Sequence, residues 1–205
     1  YLPENHPYEL PIQSIPYTDN SSALELLNAV GWVNEDLEAA TPLVAQGIPG
    51  VPDGTVFQVK LHTSLSQADA QAAGLIRDSL SKCGIDVEVV ALPVAELYAP
   101  GQNSLLFGRK FDLALVYWQG TTTNSELCTR YLASQIPDTT NEWIGTNLAG
   151  LNNPDFDRAC LSGLGSGLTP GMVCDDDCLS RLAHVPSIKL IPHPRIWLSR
   201  PGLEW

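Results

Sequence analysis

One short apolar segment, Phe111–Trp118, constrains the fold of this chain more than any other. Apart from Asp112 it is a continuous apolar run without alternation. Such a run predicts a β-strand covered on both faces, as in a parallel sheet between layers of helices. Gln119 and Gly120 then end the run. Because ligands of open α/β sheets bind beyond the carboxyl ends of the strands, this end of the segment is a predicted binding wall.

The residues before this segment predict a strand–helix–strand unit. Residues 55–62 are rich in strand formers, and residues 85–92 form a second such run. Between them, Ser66 and Asp69 have the spacing of a capping box at the start of a long helix. The whole unit takes about 38 residues, the size of a βαβ unit. The sequence therefore predicts an α/β fold with a mostly parallel sheet flanked by helices.

Weaker patterns predict the remaining elements. They give helices at 23–30, 94–98, 126–134, 155–164 and 175–183, and a strand broken by prolines at 187–198. Segments 32–54 and 135–154 are rich in Asn, Pro and Gly and predict loops.

Composition argues against two classes of protein. The chain has 23 acidic residues against 11 Lys and Arg, a net charge of −12. This charge argues against nucleic-acid binding, because phosphates are contacted by clustered basic side chains. No apolar run reaches about 18 residues, so no membrane-spanning helix is predicted. The first residues lack the basic and apolar regions of a secretory signal, and we expect a mature or excised fragment.

The sequence contains no strong catalytic or metal-binding motif. Gly163–Gly167 has the wrong register for a nucleophile elbow and does not match a dinucleotide-binding turn. The run Cys174–Cys178 holds three aspartates; it fits an acidic helix start better than a calcium loop, and its cysteines could form a local disulfide. We predict a binding protein that is not an enzyme and needs no cofactor or metal. The open alternatives are a hydrolase or transferase with an unrecognised site and a ligand-free interaction domain.

Five phrases, in chain order, resemble the peptide/nickel-type solute-binding proteins of ABC importers (family 5, cluster C). They are ALELLNAVGW at 23–32, LSKCGIDV at 80–87, GRKFDLAL at 108–115, NNPDFD at 152–157 and PGL at 201–203. Each phrase alone is weak, but their order and spacing together are specific. The resemblance covers nearly the whole chain.

The resemblance implies one lobe of a two-lobe, periplasmic-binding-protein-like fold. Family members are more than twice this long, so residues 1–205 would form a single C-terminal lobe, with 187–205 returning toward the missing N-terminal lobe. The whole protein would be extracytoplasmic, in the periplasm or anchored at the cell surface. It would bind a peptide or other small polar solute and deliver it to an ABC permease. At least one of the five cysteines is unpaired within the chain, and the resemblance favours a disulfide between Cys128 and Cys160.

Ligand contacts are predicted at and after the carboxyl end of the apolar segment. Aromatic side chains there offer flat apolar area with polar edges, and neutral polar residues follow them. The resemblance also places the loop around residue 143 at the cleft. The predicted ligand-binding residues are Tyr117, Trp118, Gln119, Gly120, Thr121, Asn124, Trp143 and Asn147. Peptide-binding members typically carry an acidic residue shortly after this strand. Residues 121–125 are instead hydroxyl and amide residues, which would equally suit a sugar or another neutral solute.

Overall fold

The computed structural model describes residues 20–36, 38, 41–117 and 129–165. The chain divides into two compact units. One contains residues 13–118 and 136–150, and we call it the sheet unit; the other contains residues 1–12, 119–135 and 151–205, and we call it the helical unit.

The sheet unit is built on a three-stranded parallel sheet. Its strands are β3 (Gln58–Ser64), β4 (Asp86–Leu92) and β5 (Leu113–Ala114), in the order β4-β3-β5. Residues of β3 pair with β4 over its full length, from Gln58 opposite Asp86 to Ser64 opposite Leu92. The predicted parallel sheet flanked by helices is confirmed.

The apolar segment itself forms much less strand than predicted. Only Leu113–Ala114 pairs with β3, and within the described residues it lies at the sheet edge, while β3 is central. Side chains take over the hydrogen bonds at both ends of this short strand. The Lys60 amide donates to the Asp112 carboxylate at 2.9 Å, and the Tyr117 amide donates to the Tyr98 hydroxyl at 3.1 Å. The expectation of an eight-residue buried strand was therefore wrong.

The helices agree well with the periodicity of the sequence. In the sheet unit they are α1 (Asn20–Ala29), α2 (Gln67–Ser81) and α3 (Val94–Leu97), and α4 (Pro154–Gly165) lies in the helical unit. Ser66 caps α2 as predicted, since its hydroxyl accepts from the Asp69 amide at 3.1 Å. Helix α1 begins three residues earlier than predicted, because an apolar stripe marks a helix face more sharply than its end.

Two apolar clusters cover the two faces of the parallel sheet. Leu61, Ala73 and Val87 form the cluster beneath α2. Leu97, Leu106 and Leu148 form the second, joined by residues of β4 and β5 that share a face with His62. The alternation of β3 therefore sends Leu61 toward α2 and His62 toward the opposite face.

A small antiparallel sheet lies within residues 32–54, which the sequence predicts as loop. Strand β1 (Trp32–Val33) pairs with β2 (Val44–Ala45). The Trp32 ring stacks on Phe57 with centroids 4.2 Å apart. Two-residue strands carry too little pattern to be predicted from sequence.

The helical unit has its own apolar cluster of Leu132, Phe156 and Cys160. The Asp157 carboxylate accepts from the Ala133 amide, which ties α4 to the short 3-10 turn Ala133–Gln135. A second 3-10 turn, Thr139–Asn141, belongs to the sheet unit. The predicted elements at 175–183 and 187–198, and residues 126–128 of the helix predicted at 126–134, lie outside the described residues. In the described part of that helix only Thr129 is α-helical; residues 130–132 form a turn and bend, and Ala133–Gln135 is the 3-10 turn, so the helix does not extend to Ser134 as predicted.

The cysteines of the described residues differ in state. Cys160 is disulfide-bonded, whereas Cys83 is a free thiol. Cys128 lies outside the described residues, so its pairing with Cys160 stays a prediction. None of the helices in residues 20–36, 41–117 and 129–165 is long and apolar enough to cross a membrane.

Candidate functional site

All three parallel strands of the sheet unit end at one edge, which we call the carboxyl edge. Strand β3 ends at Ser64, β4 ends at Leu92, and the chain of β5 reaches the same edge at Tyr117. Helices α2 and α3 begin there, directly after β3 and β4. In open α/β sheets this edge is where ligands bind, so its side chains define the candidate site.

A hydrogen-bond network at this edge holds Tyr117 from two sides. The Tyr117 hydroxyl donates to one oxygen of the Asp69 carboxylate, and the Ser64 hydroxyl donates to the other. The Ser66 amide in turn donates to the Ser64 hydroxyl at 3.1 Å. The backbone of Tyr117 is fixed separately, through its amide and the Tyr98 hydroxyl. We call these five residues the Tyr117 network.

Burial and charge within the network differ sharply between its members. The Asp69 side chain is only 3% exposed, whereas Tyr117 is 46% exposed. The hydrogen bond to Asp69 is the main cause that raises the pKa of Tyr117 to about 12, and partial burial and the charge of Asp69 add to it. The phenol therefore stays protonated at all physiological pH values. The negative charge of Asp69 lies in the first turn of α2, where the helix dipole favours it.

Exposed apolar side chains accompany Tyr117 along the carboxyl edge. Leu65, directly after β3, is 64% exposed, and Val94, shortly after β4, is 60% exposed. The Leu65 amide donates to the Leu92 carbonyl at 3.1 Å, which keeps the two strand ends together. The edge thus combines apolar area with a few fixed polar groups, the usual composition of a small-molecule site.

The structure describes three of the eight predicted ligand contacts. Tyr117 is exposed at the carboxyl edge. Trp143 is half-buried, with its backbone in the left-handed region at φ 59°, and its amide donates to the Asp138 carbonyl at 2.8 Å. Asn147 is fully buried. The ligand contacts of all three stay predictions.

The other predicted contacts lie outside the described residues. They are Trp118, Gln119, Gly120, Thr121 and Asn124.

Sequence reasoning missed most of the Tyr117 network. The sequence predicts Ser66 and Asp69 only as helix-capping residues, and it predicts no functional role for Ser64 or Tyr98. One signal was present: the hydroxyl residues Thr63, Ser64 and Ser66 lie at the end of β3 or just after it, at the edge where parallel strands present ligand contacts. The contact of Asp69 with Tyr117 joins residues 48 positions apart, a distance at which no local pattern operates.

Two further polar side chains are buried near the end of β3. Thr63 is fully buried and His62 is 8% exposed. Among the described residues, no hydrogen-bond partner meets the Thr63 hydroxyl or Nδ1 of His62. No group of three or more His, Cys, Asp or Glu that could hold a metal ion occurs in the described part of the chain.

Comparisons with known proteins support the fold. No family model and no curated protein matches the sequence. Several solved structures do match. An oligopeptide binding protein from Thermus thermophilus, complexed with a pentapeptide, has a TM-score of 0.61 and 19% identity, over 77% of this chain and 26% of that chain.

Two other structures agree with this match. NikA from Brucella suis, in complex with Fe(III)-EDTA, has a TM-score of 0.59 and 21% identity, over 87% of this chain and 33% of that chain. A mannohexaose-bound periplasmic oligopeptide-binding protein from Thermotoga maritima has a TM-score of 0.53 and 18% identity, over 80% of this chain and 27% of that chain.

The fold therefore defines a class: the chain has the periplasmic-binding-protein-like fold, and the predicted fold class is confirmed. The matching structures are binding proteins of the kind that the five sequence phrases resemble. The chain spans between 26% and 33% of the length of these three proteins.

Proposed function

We propose that this chain is the C-terminal lobe of an extracytoplasmic solute-binding protein that serves an ABC importer. It binds a small solute without changing it chemically. The observation that carries this proposal is an exposed aromatic side chain, Tyr117, fixed at the carboxyl edge of a periplasmic-binding-protein-like sheet. An aromatic ring held by hydrogen bonds at an edge that also exposes apolar side chains suits the binding of a small molecule.

The proposed mechanism is closure of two lobes around the ligand. One lobe presents the carboxyl edge as half of the site, and an N-terminal lobe supplies the other half. Closure is a hinge motion, in which a few residues at element ends absorb the backbone change. Residues 187–205 would lead back to the N-terminal lobe. An ABC permease in the membrane then receives the solute, and a membrane anchor would keep the protein near it.

The ligand is a peptide or another small polar solute. The matching structures hold a pentapeptide, a mannohexaose and Fe(III)-EDTA, so one fold accommodates very different ligands. The remaining predicted contacts belong to the same proposal: Trp118, Gln119, Gly120, Thr121, Asn124, Trp143 and Asn147.

Calorimetric titration tests the proposal with these three ligand types as probes. We expect the protein that contains this chain to bind at least one of them. Tyr117→Ala should weaken that binding about tenfold or more, since a few aromatic side chains at the centre of a binding site usually carry most of the binding energy. The matched control is Leu75→Ala, which truncates an apolar side chain that is also exposed but lies within α2.

Two results would refute the proposal. One is the absence of heat and of thermal stabilisation with every probe. The other is equal affinity of the Tyr117→Ala and Leu75→Ala proteins.

A further inference from the structure

The Tyr117 network fixes the direction in which the hydroxyl hydrogen of Tyr117 points. A phenol carries a single hydroxyl hydrogen, and that of Tyr117 is donated to the Asp69 carboxylate. A carboxylate is a stronger acceptor than a neutral carbonyl or hydroxyl oxygen, because hydrogen bonds to ionised groups are about twice as strong as those between neutral groups. Any other group that bonds to the Tyr117 oxygen must therefore be a donor.

The carboxylate is itself held in place. Its second oxygen accepts a hydrogen bond from the Ser64 hydroxyl, Asp69 lies in the first turn of α2, and the Asp69 amide donates to the Ser66 hydroxyl. A carboxylate that is 3% exposed cannot rotate freely toward solvent. The direction of the Tyr117 proton is consequently set by the fold before any ligand arrives, which lowers the ordering cost of binding.

We propose that Asp69 is a positioning residue. It accepts the single hydroxyl hydrogen of Tyr117, so the Tyr117 oxygen can only accept a hydrogen bond from the ligand, and the ligand must offer an N–H or O–H donor there. The inference rests on the function proposed above and narrows its ligand class. The negative charge behind the phenol disfavours an anionic group at this point and favours a hydroxyl, an amide or an ammonium group. The exposed side chains of Leu65 and Val94 would contact apolar parts of the ligand beside that donor.

The first test reads the proton directly and needs no ligand. The protein is labelled with ¹³C at Cζ of its tyrosines, and Tyr117→Phe assigns one resonance among the six tyrosines. With a pKa of about 12, the Tyr117 phenol should be largely protonated at pH 11. In Asp69→Asn, which removes the charge and keeps the shape, its pKa should fall toward the ordinary value near 10, so the resonance should move to the ionised position.

The control for this test is Asp78→Asn. It makes the same change of charge in the same helix at an exposed carboxylate that pairs with the neighbouring Arg77. The control should leave the Tyr117 resonance at its wild-type position at pH 11. An unchanged Tyr117 titration in Asp69→Asn, with circular dichroism showing a folded protein, would overturn the proposal.

The second test asks whether Asp69 acts on the ligand through Tyr117. With whichever probe the wild type binds, Tyr117→Phe should weaken affinity about 5- to 10-fold, the loss of one hydrogen bond. Asp69→Asn should weaken it about 2- to 5-fold, and Asp78→Asn should leave it unchanged. In the double variant, Asp69→Asn should add nothing to Tyr117→Phe, because the proton that it orients is gone.

The outcomes separate the two proposals. If Asp69→Asn weakens binding equally with and without the phenol, Asp69 acts through general structure and the positioning role is overturned. If the wild type binds none of the probes, the proposed function is refuted, while the tyrosine titration still decides whether Asp69 holds the Tyr117 proton.

Discussion

Replacement of Gly84 by alanine should destabilise the sheet unit by about 3 kcal/mol. Gly84 has φ +71°, in the left-handed region, where a residue with a Cβ atom loses about 1 kcal/mol. A Cβ atom there would also lie 2.6 Å from Cγ of Leu43, which is 1% exposed and therefore cannot move aside. Forcing an extra methyl group into a packed core costs about 1–3 kcal/mol. The two costs together give the expected value.

Urea unfolding followed by far-ultraviolet circular dichroism measures this change. Gly54→Ala is the matched control, because Gly54 has nearly the same φ, +79°, with nothing within 4 Å of an added Cβ. The control should cost only the conformational part, about 1 kcal/mol. If the two variants lose the same free energy of unfolding, the contact with Leu43 is not rigid and the reasoning from packing fails.

Three other predictions concern single groups. Thr63→Val should raise the free energy of unfolding by about 1 kcal/mol, since a buried hydroxyl without a described partner is replaced by a methyl group. Thr55→Val should lower it, because the Thr55 hydroxyl donates to a carbonyl at 2.6 Å; a loss in both variants would contradict the first assignment. Ser66→Ala should lower it by about 1 kcal/mol through loss of the α2 cap, and Ser66→Gly by a few tenths, so equal losses would contradict a capping role. Mass spectrometry of the unreduced, digested protein should find the peptide of Cys160 linked to that of Cys128, and a link from Cys160 to any other cysteine would contradict the predicted pairing.

The sequence predicted those helices and strands whose own residues carry a clear local pattern. The capping serine of α2, the alternating apolar residues of β3 and the valine-rich β4 each carry their own signal, and the structure has all three near the predicted positions. The edge strand was predicted too long for the opposite reason. Its ends are set by Asp112 and Tyr98, whose side chains bond to the backbone of other segments.

The sequence predicted that Tyr117 lies at the carboxyl edge, but it did not predict the residues that hold Tyr117 there. Tyr117 could be placed because parallel strands share a carboxyl edge, which follows from the order of elements. Asp69 could not, because its sequence neighbours explain it fully as a capping residue. Only the folded chain shows that Asp69 is buried and that its carboxylate accepts a hydrogen bond from the Tyr117 hydroxyl.

The unequal pairing of the central strand has a consequence for local opening. Strand β3 pairs with β4 along seven positions but with β5 along only two, so β5 can separate while the β3–β4 ladder stays closed. The Leu115 amide, which donates to the His62 carbonyl, should then exchange with solvent deuterium faster than the amides within β3. Since Tyr117 follows two residues later, a bound ligand would slow this exchange. The wall of the proposed site is thus also the part of the sheet that can open most easily.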